Sequence, residues 1–510
     1  MKKQKFQIKI FNITLLVVLG FILTQNVFAF DQNQPIYLNQ SYDLYNRSSI
    51  NVTQIKTTNV AIFYADTSWW NNLSSSDQNI LQNKIYLMSS ELEYKIKPTL
   101  NNIYGNEPDP IVGSDKRVNI VLTPMLQNIQ GYIKTGDFVS KKVFSASNEG
   151  NVIYLNASKI KSVSDNLMYS FLAHEFTHII TYNQKYLISG AHDDVWLEEL
   201  RAEYTPTLLG YNTNWDTSYL KLRVLDFVQN NIISLSDWDS LDSHYAFVNL
   251  FAQYLTEQYG RDIIINSFHS SKTGIDSINE FLVKNGKSET FDQIFQNWLI
   301  ANFLNDCSVS TKYCYKDVNL KNIYILPSSF YLPMSSNSAL AISDTLIPYM
   351  AKYQKISGGA GNLSLNFENP PDNLIKKIPY IIIDKNNSKQ LSFFDFQKSN
   401  SQTIVVPNFN KEVIGLVIIP QLVRQDKNYS TRSVFKWQAE TSSIDIGNSQ
   451  NVSSTNSSAQ TSSDTKPNTN NIQNIDVSLI TRLDNQAKII ELQNKLIILM
   501  QQLIALLLAR

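Results

Sequence analysis

The chain has 510 residues, 43% of them hydrophobic and 17% charged, with 44 basic side chains balanced by 44 acidic ones. That length gives room for several domains, and that apolar content can build sizeable cores. The even charge provides no basic field of the kind that holds nucleic acid, which argues against a nucleic-acid partner.

Residues 1–29 read as a secretory signal. Lys2, Lys3, Lys5 and Lys9 form a basic start, Leu15–Leu23 an apolar centre, and Val27 and Ala29 the small residues before a cleavage point. The centre is short for a membrane span of about 20 residues. The expected location is therefore secreted or at the cell surface. Residues 30–56 are polar and irregular and read as an N-terminal arm or a pro-segment.

Asn59–Tyr64 reads as a buried strand, and Ser75 or Ser76 as the cap of a long amphipathic helix reaching about Ile103. Arg117–Leu122 and Val152–Leu155 read as further strands. Ser162 or Ser164 caps a helix running to about Tyr182, and the pattern is mostly helical from Trp196 to about Phe303. Residues 57–305 thus form a first mixed domain. Cys307 and Cys314 are the only cysteines, and in an oxidising compartment they are expected to pair.

From there to residue 440 the chain turns β-rich. Ile323–Leu326, Leu363–Phe367, Tyr380–Ile383, Thr403–Val406 and Ile414–Ile419 are short apolar runs separated by Pro, Gly and Asn, which suggests a small β-sandwich. Residues 441–474, rich in Ser, Thr, Asn and Gln and without aromatics, read as a flexible linker. Residues 475–510 read as a helix. Ile489, Leu492, Leu496, Leu499, Leu503 and Leu506 fall three and four apart, a seam for self-association or for docking to a membrane or envelope surface. The fold class is α+β, with a C-terminal β-sandwich and a terminal helix.

The chemistry concentrates in His174-Glu175-Phe176-Thr177-His178, which matches H-E-x-x-H and uses two of only five histidines. Residues four apart on a helix share a face, so both imidazoles can bind one zinc ion while Glu175 reaches a water beside it. A metzincin would need Gly and His three and six residues after His178; Thr181 and Gln184 stand there instead.

Trp196-Leu197-Glu198-Glu199-Leu200-Arg201-Ala202-Glu203-Tyr204 resembles the W-L-N-E-G-x-[AS]-E-Y segment of the gluzincin metallopeptidases. The resemblance implies that Glu199 is the third zinc ligand and Glu203 a carboxylate that orients a ligand histidine. Glu198 replaces the usual Asn and Leu200 the usual Gly, so the choice of Glu199 over Glu198 rests on register.

The run opened by His244-Tyr245 resembles a helix of hyicolysin-like secreted peptidases, which implies that Tyr245 or His244 supports the developing oxyanion. Across residues 57–303 the resemblance is to gluzincins, closest to the hyicolysin-like family. It implies a zincin-type catalytic domain: a twisted sheet, an active-site helix and a helical lower lobe. The strand near Val152–Leu155 would be the edge that pairs with extended substrate.

His192 and His269 read as surface and structural residues. Asp237, Asp239 and Asp242 read as a solvated loop, with structural calcium the weaker reading. The expected function is zinc-dependent endopeptidase, with a protein or peptide as substrate. The alternatives are a cell-surface binding or adhesion protein that retains a protease-like domain, and an aminopeptidase; no G-x-M-E-N segment is present to hold a free amine.

Overall fold

The computed structural model describes residues 34–442, except Val112, Ser114, Ser240, Ser335, Ser336 and residues 425–430. The signal segment, the linker beyond residue 442 and the terminal helix lie outside the described residues.

A five-stranded sheet forms the first layer: β1 (Val52–Thr57), β2 (Ala61–Asp66), β3 (Val118–Thr123), β4 (Gly131–Ile133) and β5 (Val152–Asn156). Its order is β1-β2-β3-β5-β4, with the two edge strands antiparallel to a parallel centre. β2, β3 and β5 are buried along their whole length, as strands covered on both faces must be. The Val152–Leu155 run is therefore interior, and the edge strand is β4. β1 was hidden in the polar stretch before residue 57. Residues 34–50 pack beside it, with Ile36, Leu38 and Ile50 in a small core shared with Tyr132 and Tyr154.

Helix α1 (Ser75–Glu91) is capped by Ser74, whose Oγ accepts the Asp77 N–H at 3.1 Å, and it continues through a π turn into α2 (Lys97–Tyr104). Helix α3 (Asp165–Thr181) starts on Ser164, whose Oγ accepts the Leu167 N–H at 3.3 Å. Its residues Phe171, Leu172, Ala173, Phe176, Ile179 and Ile180 enter a core that also takes Phe63, Ile120 and Ile153 from the sheet and Leu81, Ile85 and Met88 from α1. That packing fixes α3 across the sheet. A π turn, Tyr182–Ile188, follows directly.

The helical half comprises α4 (Val195–Leu208), α5 (Tyr219–Gln229), α6 (Asp242–Tyr259), α7 (Asp262–His269), α8 (Gly274–Lys284) and α9 (Phe291–Leu304). A second core of Leu197, Leu200, Phe247, Phe251, Phe295 and Trp298 joins them. The Cys307–Cys314 disulfide forms just after α9.

The β-rich region has strands β6 (Ser328–Leu332), β7 (Ala339–Leu346), β8 (Gln354–Gly358), β9 (Gly361–Glu368), β10 (Lys377–Asp384), β11 (Lys389–Asp395), β12 (Ser401–Phe409), β13 (Val413–Ile418) and β14 (Ser433–Ser442). One bridge, Phe409 to Val413, joins two sets: β12-β9-β14-β7, and β11-β10-β13-β8-β6. Phe367 stacks on Phe394 with centroids 5.3 Å apart, and the Trp437 Nε1–H donates to Gln354 Oε1 at 2.8 Å, so the sets face each other as two layers around one core.

The second layer is covered on its other face as well. Ile381, Ile383, Val417 and Ile419 belong to the core of the helical half, which seats the β layers on α9. The Ile323–Leu326 run is not a strand: Ile323 and Ile325 are buried in that same helical core. Among the described residues no helix is long and apolar enough to cross a membrane.

Candidate metal centre and cleft

His174 and His178 lie one turn apart on α3, and Glu199 is in the first half of α4. The helices pack together, and Thr177 Oγ1 meets Thr205 Oγ1 at 3.0 Å between them. The two Nε2 atoms are 3.1 Å apart; Glu199 Oε2 lies 3.4 Å from that of His174 and 3.3 Å from that of His178. A tetrahedral ion with ligand bonds of about 2.0–2.2 Å holds its ligand atoms about 3.3–3.6 Å apart. The two separations from Glu199 fall in that range and the 3.1 Å between the imidazoles is just below it, so the trio suits a single zinc ion with a slightly narrowed His–His angle. Glu199 Oε2 is buried with no hydrogen-bond donor, which fits a carboxylate oxygen that ligates a cation. Among the described residues this trio is the one group of three or more acidic, His or Cys side chains that meets at ligand distance, and Glu198 is outside it.

Behind the trio, His174 Nδ1 lies 3.5 Å from Glu203 Oε1. Glu203 is fully buried yet saturated with donors. It accepts the Tyr219 hydroxyl at 2.6 Å, Arg223 Nη2 at 2.7 Å and Nε at 2.9 Å, and Asn249 Nδ2 at 3.1 Å. Those donors orient the carboxylate and leave one face of it towards the histidine. Tyr219, Arg223 and Asn249 went unread in the sequence. Arg223 did leave a signal there, as a cation within the apolar stripe Leu220, Val224, Phe227 of α5.

The trio opens on a cleft of about 610 Å³. The sheet side supplies β4 with the preceding Gln130, and the arm before β1 supplies Asn39 and Tyr42. The helical side supplies Tyr219, Arg223, Trp238, Asp242 and Tyr245. Gly131 is needed where β4 passes Glu175. A Cβ there would lie 3.1 Å from Glu175 Cγ and 2.9 Å from the Tyr154 carbonyl oxygen.

Glu175 lines the cleft next to the trio, and burial pushes its carboxyl up despite the nearby histidines. Burial also pushes the Glu198 carboxyl up, to about 7, against the Tyr186 hydrogen bond that pulls it down. Tyr245 faces the cleft with its ring centroid 6.4 Å from that of His174, and burial raises its phenol.

His244 is buried behind Tyr245. Its Nδ1 meets Asp239 Oδ1, its ring is tilted against Trp238, and it is not among the cleft residues. Asp239 is thus engaged by His244, and Asp237, Asp239 and Asp242 form no metal-ligand group among the described residues. His192 packs edge-on against Tyr186 at 4.5 Å, and His269 Nε2 bonds the Ile103 carbonyl at 2.7 Å.

One further buried pair fixes the start of α4. Asp193 accepts Arg201 Nη1 at 2.7 Å and the Gly274 N–H at 2.6 Å, while Arg201 also reaches Ser267.

No family model matches the chain. It is 26% identical over 209 residues to the neutral metalloprotease ShpI of Staphylococcus hyicus, a match covering 37% of this chain and 45% of that protein. The chain thus spans less than half the length of that relative, and the likeness is a distant one to a metalloprotease. Among solved structures, the g-type lysozyme inhibitor PliG of Aeromonas hydrophila aligns at 7% identity, over 22% of this chain and 97% of that one, with a TM-score of 0.16. The pre-peptidase C-terminal domain of a Bacillus anthracis collagenase aligns at 6%, over 22% and 96%, also with a TM-score of 0.16. Neither carries the reading of the fold or of the site.

Proposed function

We propose that the chain is an exported zinc-dependent endopeptidase of the gluzincin type, most similar to the hyicolysin-like family, with His174, His178 and Glu199 as its zinc ligands. The observation that carries this reading is the trio of ligand atoms at zinc spacing, with Glu175 beside it in an open cleft. Zinc at this set supplies Lewis acidity for the scissile carbonyl and a lowered pKa for water.

The chain's own residues do the rest. The outer edge of β4 offers backbone groups to an extended peptide, which would add as a further strand. Glu175 takes the proton from the attacking water and returns it to the departing amine; its burial favours a base that can hold that proton. The Tyr245 hydroxyl donates to the carbonyl oxygen as negative charge builds there. Glu203, locked by Arg223, Tyr219 and Asn249, stands 3.5 Å from His174 Nδ1, where it can accept that N–H and orient the ring.

The test is Glu175→Gln in the purified protein. The variant is expected to keep one zinc per chain and to lose casein cleavage by a factor of about a thousand or more. Cleavage at the wild-type rate would overturn the mechanism.

A further inference from the structure

Glu198 is a carboxylate in the cleft that the proposed reaction does not use. It precedes Glu199 in the first turn of α4, lines the cleft, and lies outside the metal trio. Its one side-chain hydrogen bond is with the Tyr186 hydroxyl. Its Oε1 is buried without a partner, and no lysine or arginine pairs with it among the described residues.

His178 and the buried Arg201 attract it at a distance, but neither forms an ion pair with it. Among the described residues Arg223 is the only lysine or arginine on the cleft walls, and its guanidinium is committed to Glu203. A half-buried carboxylate with one donor gains from any cation that reaches it.

The wall around Glu198 suits such a cation. The π turn after α3 brings Tyr182 and Tyr186 into a stack with centroids 5.5 Å apart, and Phe138 stacks on Tyr182 at 4.3 Å. Val195 stands exposed at the same rim. The ring edges of this stack and the aliphatic rim can hold the methylene stem of a long side chain, while the Glu198 carboxylate attracts its charged head.

We propose that Glu198, Tyr186 and Tyr182 form a subsite for a lysine or arginine side chain of the peptide substrate, giving the enzyme a preference for basic residues near the cleaved bond. This rests on the peptidase reading above.

The test uses the full, zinc-loaded chain and a set of peptides in which one lysine is walked through each position, with norleucine and glutamate as replacements. Each peptide is made with a free and with an acetylated N-terminus. Cleavage is read as kcat/KM, and binding is read separately by fluorescence anisotropy. At one position lysine is expected to exceed norleucine by about tenfold or more. In Glu198→Gln that ratio is expected to fall to about one, and in Glu198→Lys to reverse in favour of glutamate. Each ratio is internal to one variant, so a general loss of activity cancels.

The absence of a lysine preference in both readouts, or its survival in Glu198→Gln, overturns the proposal. A Glu198-dependent preference for the free N-terminus without a lysine effect also overturns the side-chain assignment. Lysine-dependent binding that Glu198→Gln abolishes, with no cleavage of any peptide, upholds the subsite and overturns the peptidase reading instead.

Discussion

His174, His178 and Glu199 stand on two helices that pack directly on each other, and the Glu203 carboxylate behind them is closed in by Tyr219, Arg223 and Asn249 from the next two helices. Tyr245 lies one turn before Asn249 on α6, with the Arg223 guanidinium 5.2 Å from its ring centroid, and it has a further support. Its ring meets Trp238 edge-on at 5.1 Å, and Trp238 belongs to the loop between α5 and α6. That loop is held by the β-rich region. Ser234 Oγ donates to the Pro348 carbonyl at 2.6 Å, Ser236 Oγ donates to the same oxygen at 3.3 Å, and the Leu235 N–H bonds the Tyr349 carbonyl at 3.0 Å. Tyr349 in turn donates to Asp292 on α9 at 2.9 Å. The metal set thus follows from helix geometry and a buried ion pair, whereas Trp238, which flanks Tyr245, is set by the docking of a separate layer more than a hundred residues away. Variants on the two sides should therefore separate metal binding from turnover.

The largest effect is expected at the ion pair. Arg223→Met leaves Glu203 buried without its countercharge, which costs about 3–5 kcal/mol. Chemical denaturation should show the lower midpoint, and zinc should bind more weakly because His174 loses its oriented partner. An unchanged midpoint with unchanged zinc affinity would break the account of the metal side.

A comparable but pH-dependent effect is expected at Asp193. Burial raises its carboxyl, but Arg201, the Gly274 N–H and Lys185 outweigh that and hold it below the ordinary 3.8. The folded chain therefore favours the ionised form. The stability it brings is present above pH 3.8 and is lost as the pH falls through the lower folded value. Asp193→Asn should be less stable by about 3 kcal/mol at neutral pH. Its stability should also fall less steeply than that of the wild type below about pH 4. Parallel pH profiles for the two proteins would contradict this.

The smallest effect is expected on the Tyr245 side. Ser234→Ala with Ser236→Ala removes two bonds to one carbonyl and should cost about 1–2 kcal/mol. It should lower kcat while zinc stoichiometry stays at one per chain. Loss of zinc with intact turnover per bound ion would reverse the assignment of the two sides.

This contrast also explains what the sequence made legible. The H-E-x-x-H spacing, the E-x-x-x-E of Glu199 and Glu203, and the Ser164 cap are local patterns, and a helix converts each directly into geometry. The cysteine pair was legible because no other partner exists. Long-range features were not. β4 has three residues, too few to show a period, so the edge of the sheet was misplaced onto β5. The Ile323–Leu326 run is apolar because the helical core buries it, which composition alone does not distinguish from a strand. β14 does alternate, with Phe435, Trp437 and Ala439 inward and Lys436, Gln438 and Glu440 outward, a period of two that the sequence carries although the short apolar runs named above do not include it. Asn39 and Tyr42 left no signal; only the fold brings them to the cleft.

The central claim is that one zinc ion at His174, His178 and Glu199 drives hydrolysis. The most direct measurement strips the protein with a chelator and titrates zinc back, following bound metal and casein cleavage together. Cleavage should vanish on stripping, return in proportion to bound zinc and saturate at one ion per chain, and Glu199→Ala should fail to recover. Full cleavage by the metal-free protein, or recovery in Glu199→Ala equal to wild type, would contradict it.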